Sequence, residues 1–385
     1  MRSIKSIDQL TSLRFFAAAA IVFLHSKGVF EATKDVQSPI PLDFGVSFFF
    51  VLSGFILTYN YRDLRSKGQI LEYFGARVSR IWPVHLFTFA LVLLLIPQPF
   101  WTAAGAASHV PSVTILNVLL LHAWVPLSGY FFSYNGVSWS ISTELFFYLA
   151  FPFLIRNWAR TWHYKSLFVL AVSFGLVAAA QSLKLPLFNG QSPLMVSSNG
   201  IVYISPLVRI AEFLCGIWAA TIFVRMKHEA SRPTLAGTLV EIGALAAIYF
   251  VGTLCMGVIQ SSSSLDALQI YLGSSGGALA FSLAILIMAC GKGWISRVLA
   301  IKPLVLLGQA SFALYMTHQL VILFVYLNKA KYFAAIPDIL LLSLYWLGCI
   351  ALSIAIYFGV EQPCRRRLRA LFQPRQPANA SAPAS

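Results

Sequence analysis

Ten apolar runs of about membrane-spanning length divide this chain, and they leave few folds open to it. They fall at roughly 7–27, 43–61, 81–96, 138–156, 165–183, 204–224, 234–259, 269–290, 304–326 and 336–358. A helix needs about 20 apolar residues to cross the hydrocarbon, where only helices and closed barrels satisfy their own backbone. With 58% apolar and 11% charged residues, the chain lacks the polar surface of a water-soluble fold. The expected fold class is all-α, a polytopic membrane helix bundle read as one domain over residues 1–372. The stretch 373–385, QPRQPANASAPAS, is rich in Pro, Ala and Ser and is expected to be a disordered cytoplasmic tail.

Charge sets the expected topology. The segment 113–125, VTILNVLLLHAWV, is apolar but would reach only about 20 Å as a helix. If it crossed, Arg156, Arg160 and Lys165 would lie outside, and so would the Arg365–Arg367 tail. Read instead as a re-entrant or interfacial segment, it leaves 21 of the 28 Lys and Arg in inner loops. Only Lys27, Lys34, Lys184, Lys329 and Lys331 are then outside, with Arg14 and Arg209 inside spans. That is the positive-inside pattern, so both termini are expected in the cytoplasm and the protein in a membrane that it crosses many times. The net charge of +15 is thereby explained by loops facing one side of a membrane, and no nucleic-acid partner is expected. Met1 to Ser6 makes a short basic start without a small-residue cleavage site, which fits a retained first helix. The five Cys have neither metal-ligand nor disulfide spacing, so no metal is expected.

The first span, LTSLRFFAAAAIVFLHS over residues 10–26, carries Arg14 and His25. Eleven residues apart, they fall within roughly 20° on one helix face and about 16 Å apart along the axis. A cation in an apolar span is costly without a partner, ligand or water, which makes it a candidate for function. Arg77 and Arg80 share a face at the inner mouth of the third span, with His85 close by. Glu144, counted from a helix start near Ser138, lies roughly 9 Å below the outer surface, at the depth expected for His25.

This layout suits transfer of an activated group across a membrane. Arg14, Arg77 and Arg80 would bind donor phosphates by charge-assisted hydrogen bonds. A histidine about 16 Å further out matches a donor with phosphates at one end of a thin arm and a thioester at the other, as in coenzyme A. His25 would be a general base for a hydroxyl or a transient acyl carrier, and Glu144 would orient its imidazole.

In these residues the chain resembles the integral-membrane acyltransferase family three, bacterial O-acyltransferases that modify cell-surface and exported polysaccharides. Arg14 and His25 match the family's basic residue, ten intervening residues and histidine. GVSFFFVLSGF at 45–55, RVSRIWP at 77–83, SWSISTELFFY at 138–148, GQASFALYMTH at 308–318 and VEQP at 360–363 resemble its further signatures, in order. The resemblance implies an acyl-coenzyme A donor, expected to be acetyl-CoA, used from the cytoplasm. It also implies a saccharide acceptor on the far side, lipid-linked or not, and functional weight on Arg14, His25, Arg77, Arg80 and Glu144. One departure is that Thr143 precedes the single Glu144, where the family more often has two acids or an acid and Gln. Some members also carry an esterase-like domain. Only a short tail is expected after Phe372, so this chain is expected to hand over the acyl group itself.

Other polar residues in spans have weaker roles open to them. Arg209 and Glu212, three apart, pair as a structural clamp or line an acceptor cavity. Trp139 is a belt residue or a sugar-stacking platform. His318 contacts donor or acceptor, or bonds a neighbouring helix. The small residues of Gly45–Gly54 are read mainly as packing sites, and Ser53 not as a nucleophile. The same inner cations also suit a transporter or flippase for an anionic lipid-linked saccharide, with His25 relaying protons.

Overall fold

The computed structural model describes residues 6–101, 109–187, 192–226, 232–261 and 266–372. The expected tail 373–385, and with it Arg375, lies outside the described residues, as do Arg2, Lys5 and Lys227. The described chain is a helical bundle whose one extended pairing is an isolated antiparallel bridge between Leu127 and Val196.

The long elements are α1 (Asp8–Ser26), α2 (Phe44–Asn60) and α3 (Lys67–Leu95). A short α4 (Val110–Val118) precedes α5 (Trp139–Ile155), α6 (Trp158–Ser182), α7 (Pro206–Arg225) and α8 (Leu235–Gln260). Then come α9 (Ala267–Ser275), α10 (Ala278–Cys290) and the short α11 (Trp294–Leu299). The bundle closes with α12 (Lys302–Tyr332), α13 (Asp338–Ile356) and α14 (Gln362–Leu371). Among the described residues nine helical stretches are long and apolar enough to cross a membrane, counting α9–α10 and α13–α14 as one each. The tenth, α2, has 17 residues, about 26 Å against about 30 Å of hydrocarbon.

Burial sorts the helices into an inner and an outer set. The α7 stretch is 72% buried and the α8 stretch 17%, so α7 is central and α8 presents Leu239, Tyr249 and Phe250 outward. Lipid tails are as apolar as the core, so close packing holds such a bundle together, and small residues make it possible. A Cβ on Gly54 of α2 would strike the carbonyl oxygen of Phe213 in α7, and one on Gly216 of α7 would strike that of Val51. Gly45 packs in the same way on Ala17 and Ile21 of α1. Gly308 of α12 lies against Thr11 and Ser12 while His318 bonds His25, so α1 and α12 run parallel.

Segment 113–125 does not continue as a crossing helix. α4 ends at Val118 and the chain turns back through Leu120, whose φ is 57°. Its freed backbone groups are taken up by neighbouring side chains, as buried irregular backbone requires. Trp82 donates to the Val118 carbonyl at 3.2 Å, Ser142 to that of Leu120 at 2.7 Å, and His85 Nε2 to that of Asn117 at 2.9 Å.

Two boundaries differ from the sequence expectation. The third span is expected at 81–96, but α3 begins at Lys67. There Ser66 Oγ accepts the Gln69 N–H and Gln69 Oε1 accepts the Ser66 N–H, both at 3.2 Å, in a capping box. Arg77 and Arg80 therefore sit on a continuous helix, not at its mouth. The last span runs on past 358 through a π-helical turn, Tyr357–Glu361, into α14. Glu241 of α8, 1% exposed, accepts the N–H groups of Gly293, Ile295 and Ser296 and so caps α11.

Candidate active site

A cavity of about 420 Å³ opens at the N-terminal end of α1. Arg14 of α1, Arg77 and Arg80 of α3 and Glu144 of α5 all line it, so four sequence candidates converge although they come from three helices. The π turn and α14 add Glu361, Arg365 and Arg369 to the same wall. Five arginines thus face three acids, the third being Asp8 at the rim. A pocket with that balance attracts a polyanion.

Its hydrogen bonds hold the charges apart and in place. Glu144 Oε1 accepts from Ser53 Oγ of α2 at 3.0 Å and from the Tyr148 hydroxyl at 2.6 Å. The Arg77 guanidinium lies over the rings of Tyr61 and Tyr148, at 5.6 and 5.7 Å from their centroids, with its Nε buried and without a partner. Tyr73, wholly buried behind them, donates to the Tyr148 carbonyl at 3.0 Å and meets Tyr61 edge-on. Glu361, 1% exposed, lies within electrostatic reach of Arg80, Arg14 and Arg365, and its Oε2 has no hydrogen-bond partner. Opposite it, Gln309 of α12 accepts from the Tyr357 hydroxyl at 3.2 Å.

His25 is not beside Glu144, which corrects the pairing expected from depth. The side chain bonded to His25 is His318 of α12, with His25 Nδ1 2.8 Å from His318 Nε2 and the two rings within 14° of parallel. The start of α5 is level with His318, since Gln319 Oε1 accepts the Val137 N–H at 3.0 Å, so Glu144 lies about two turns further in than His25.

The remaining candidates gather elsewhere. Arg209 and Glu212 form an ion pair at 2.9 Å with exposures of 0% and 1%, and Arg209 also donates to Ser275 Oγ at 3.0 Å. Phe50, Tyr203 and Trp139 box in the same guanidinium at 5.2, 5.5 and 5.9 Å. Neither the pair nor Trp139 lines the cavity, and the arrangement is that of a clamp joining α7, α9 and α5. A second cavity, of about 490 Å³, lies at the other end of α1, lined by Leu24, Lys27, Asp43, Asn199, Tyr203 and Gln269 among others.

Several cavity residues escaped the sequence reading: Ser53, Tyr148, Gln309, Glu361, Arg365 and Arg369. One signal was available. Glu361, Arg365 and Arg369 recur every four residues and so share a helix face. The basic run of the tail masked that spacing as topology signal.

The comparisons agree with this architecture. The family model described as an acyltransferase domain, family three, matches residues 7–358. Acyltransferase MdmB of Streptomyces mycarofaciens is 28% identical over 94% of this chain and 92% of its own length. O-acetyltransferase OatA of Staphylococcus aureus is 24% identical over 95% of this chain, which spans 58% of that protein. Nodulation protein 10 of Rhizobium leguminosarum bv. viciae is 27% identical over 42% of this chain and 47% of its own length. No solved structure matches significantly. With the family match covering nearly the whole bundle, the chain belongs to acyltransferase family three and is a multi-pass membrane O-acyltransferase.

Proposed function

We propose that the enzyme takes an acyl group, specifically acetyl, from acetyl-CoA on the cytoplasmic side and passes it to a saccharide hydroxyl on the far side, in a bacterial inner membrane. The observation that carries this reading is the arginine cavity. Arg14, Arg77, Arg80, Arg365 and Arg369 line one chamber at the end of the bundle that the basic loops mark as cytoplasmic. The buried, unpartnered Nε of Arg77 and the unpartnered Oε2 of Glu361 fit a chamber built to receive a ligand with both acceptors and donors. A nucleotide-type donor meets those needs, with phosphates for the guanidiniums and a thin thioester arm running outward.

His25 stands about 16 Å along α1 from Arg14. It would take the proton of the acceptor hydroxyl as the oxygen bonds the acyl carbon. The carbon–sulfur bond then breaks and the thiolate leaves, to be protonated in turn. Glu144, bonded to Ser53 and Tyr148, would position the arginine chamber and balance its charge, while His25 acts at the outer end. The names of the relatives lend support: one is an O-acetyltransferase and one an acyltransferase matched over nearly its full length.

The test is to supply radiolabelled acetyl-CoA to inverted and to right-side-out membrane vesicles from the native host. Label entering a saccharide fraction only in inverted vesicles is the expected result. Equal labelling in both orientations, or none above a deletion strain, would overturn it.

A further inference from the structure

His318 is wholly buried on α12, one turn beyond Tyr315 of the arginine chamber's lining, and its ring has two polar contacts of opposite kind. Its Nδ1 lies 2.7 Å from the Tyr315 carbonyl oxygen and 3.3 Å from that of Leu314. A carbonyl only accepts, so Nδ1 must carry the proton of the neutral ring. Nε2 is then an acceptor. It is this nitrogen that faces His25 Nδ1 at 2.8 Å, so His25 must donate from Nδ1. In a neutral imidazole that leaves the lone pair on His25 Nε2. Among the described residues no group hydrogen-bonds that nitrogen, and it is not sealed from solvent.

We propose that His318 is a positioning residue: anchored to the backbone of its own helix, it fixes the tautomer and ring plane of His25 so that Nε2 is the basic nitrogen. The direction is set by α12 itself, because the Tyr315 carbonyl that accepts from His318 Nδ1, one turn back in the helix, cannot donate. The near-coplanar rings, 14° apart, hold the donor hydrogen on the line between the two nitrogens. A protein that needs a base at one defined nitrogen gains from such a partner, because a free imidazole divides its proton between both nitrogens. Packing follows the same lines. Gly308 brings α12 onto Thr11 and Ser12 three turns further in, so the helix pair that orders the histidines is locked at both levels.

The role rests on the reading of His25 as the transfer base, and the experiment separates the two. Purified protein in detergent is treated with diethyl pyrocarbonate, which acylates an imidazole lone pair, and modification of the His25 peptide is timed by mass spectrometry. His318→Gln keeps an amide oxygen for His25 and an N–H for Tyr315, whereas His318→Phe keeps ring volume without either. The expected result is a near wild-type rate at His25 in His318→Gln and a drop of about tenfold in His318→Phe, as for loss of an orienting partner elsewhere. The same variants are assayed for acetyl transfer, with kcat following the modification rate and KM for acetyl-CoA unchanged. Equal His25 reactivity in Phe and Gln variants of matched thermal stability would overturn the positioning role. If the modification pattern holds but His25→Ala still transfers acetyl at the wild-type rate, the pairing stands and the base assignment falls.

Discussion

Ser53 of α2 and Glu144 of α5 are joined by a 3.0 Å hydrogen bond across the floor of the arginine cavity, although 91 residues separate them. The bond explains why Ser53, in an SGF context unlike a nucleophile's, is still part of the site. It fixes the carboxylate that faces Arg14, and Tyr148 fixes the same oxygen from within α5. Ser53→Ala leaves Glu144 with one donor fewer, at a cost of about 1–3 kcal/mol for a group out of water. The expected outcome is a weaker KM for acetyl-CoA with little change in kcat, measured by initial-rate kinetics in membranes.

Glu361 is the counter-charge to the inner cations. Glu361→Ala leaves Arg14, Arg80 and Arg365 facing one another in a buried space, and loss of such a partner costs about 3–5 kcal/mol. The variant is expected to fall in detergent-extracted folded yield and in melting temperature. Glu361→Gln, which keeps volume and hydrogen bonding, is expected to lose less, a difference that fluorescence-detected gel filtration after heating resolves.

Helix contacts through glycine give a steric prediction. Gly216→Ala and Gly54→Ala each push a methyl into a backbone carbonyl of the partner helix, which cannot rotate away. Each is expected to destabilise the bundle by about 1–3 kcal/mol, the usual range for overpacking. Gly175→Ala on α6 meets open space and is expected to be close to neutral. Melting temperatures in one detergent check all three.

Glu241 separates stability from catalysis. It caps α11 with three backbone bonds and also accepts from Ser296 Oγ at 2.5 Å, and it does not line the arginine cavity. Glu241→Ala leaves those donors unpaired and is expected to lower the melting temperature, while KM for acetyl-CoA in the remaining folded protein stays at wild type. A raised KM in the stable fraction would count against that division.

Much of this was legible in the sequence, and for physical reasons. Spans appear because the bilayer imposes a fixed apolar length, and the short 113–125 segment declared itself by falling below it. The start of α3 did not appear, because its N-cap Ser66 stands between Arg65 and Lys67, where hydropathy sees only a charged loop. Arg14, Arg77, Arg80 and Glu144 were legible as costly charges in or beside apolar helices, and they share one cavity. Which helices touch was not legible, since rise per residue gives depth and never azimuth between helices. Hence His25 was matched with Glu144, when α12 brings His318 to it. Glu361 stayed hidden because its four-residue spacing to Arg365 and Arg369 runs into a basic stretch that reads as a cytoplasmic tail.

The central claim is a division of labour along α1, with donor binding at Arg14 and acyl transfer at His25. The measurement that tests it most directly sets acetyl-CoA affinity beside acetyl transfer for wild type, Arg14→Ala and His25→Ala at matched folded levels. The account predicts that His25→Ala binds acetyl-CoA as wild type does yet loses transfer by roughly a hundredfold or more, the scale of a missing general base. Arg14→Ala should lose affinity. Undiminished transfer by His25→Ala, or undiminished affinity in Arg14→Ala, would contradict it.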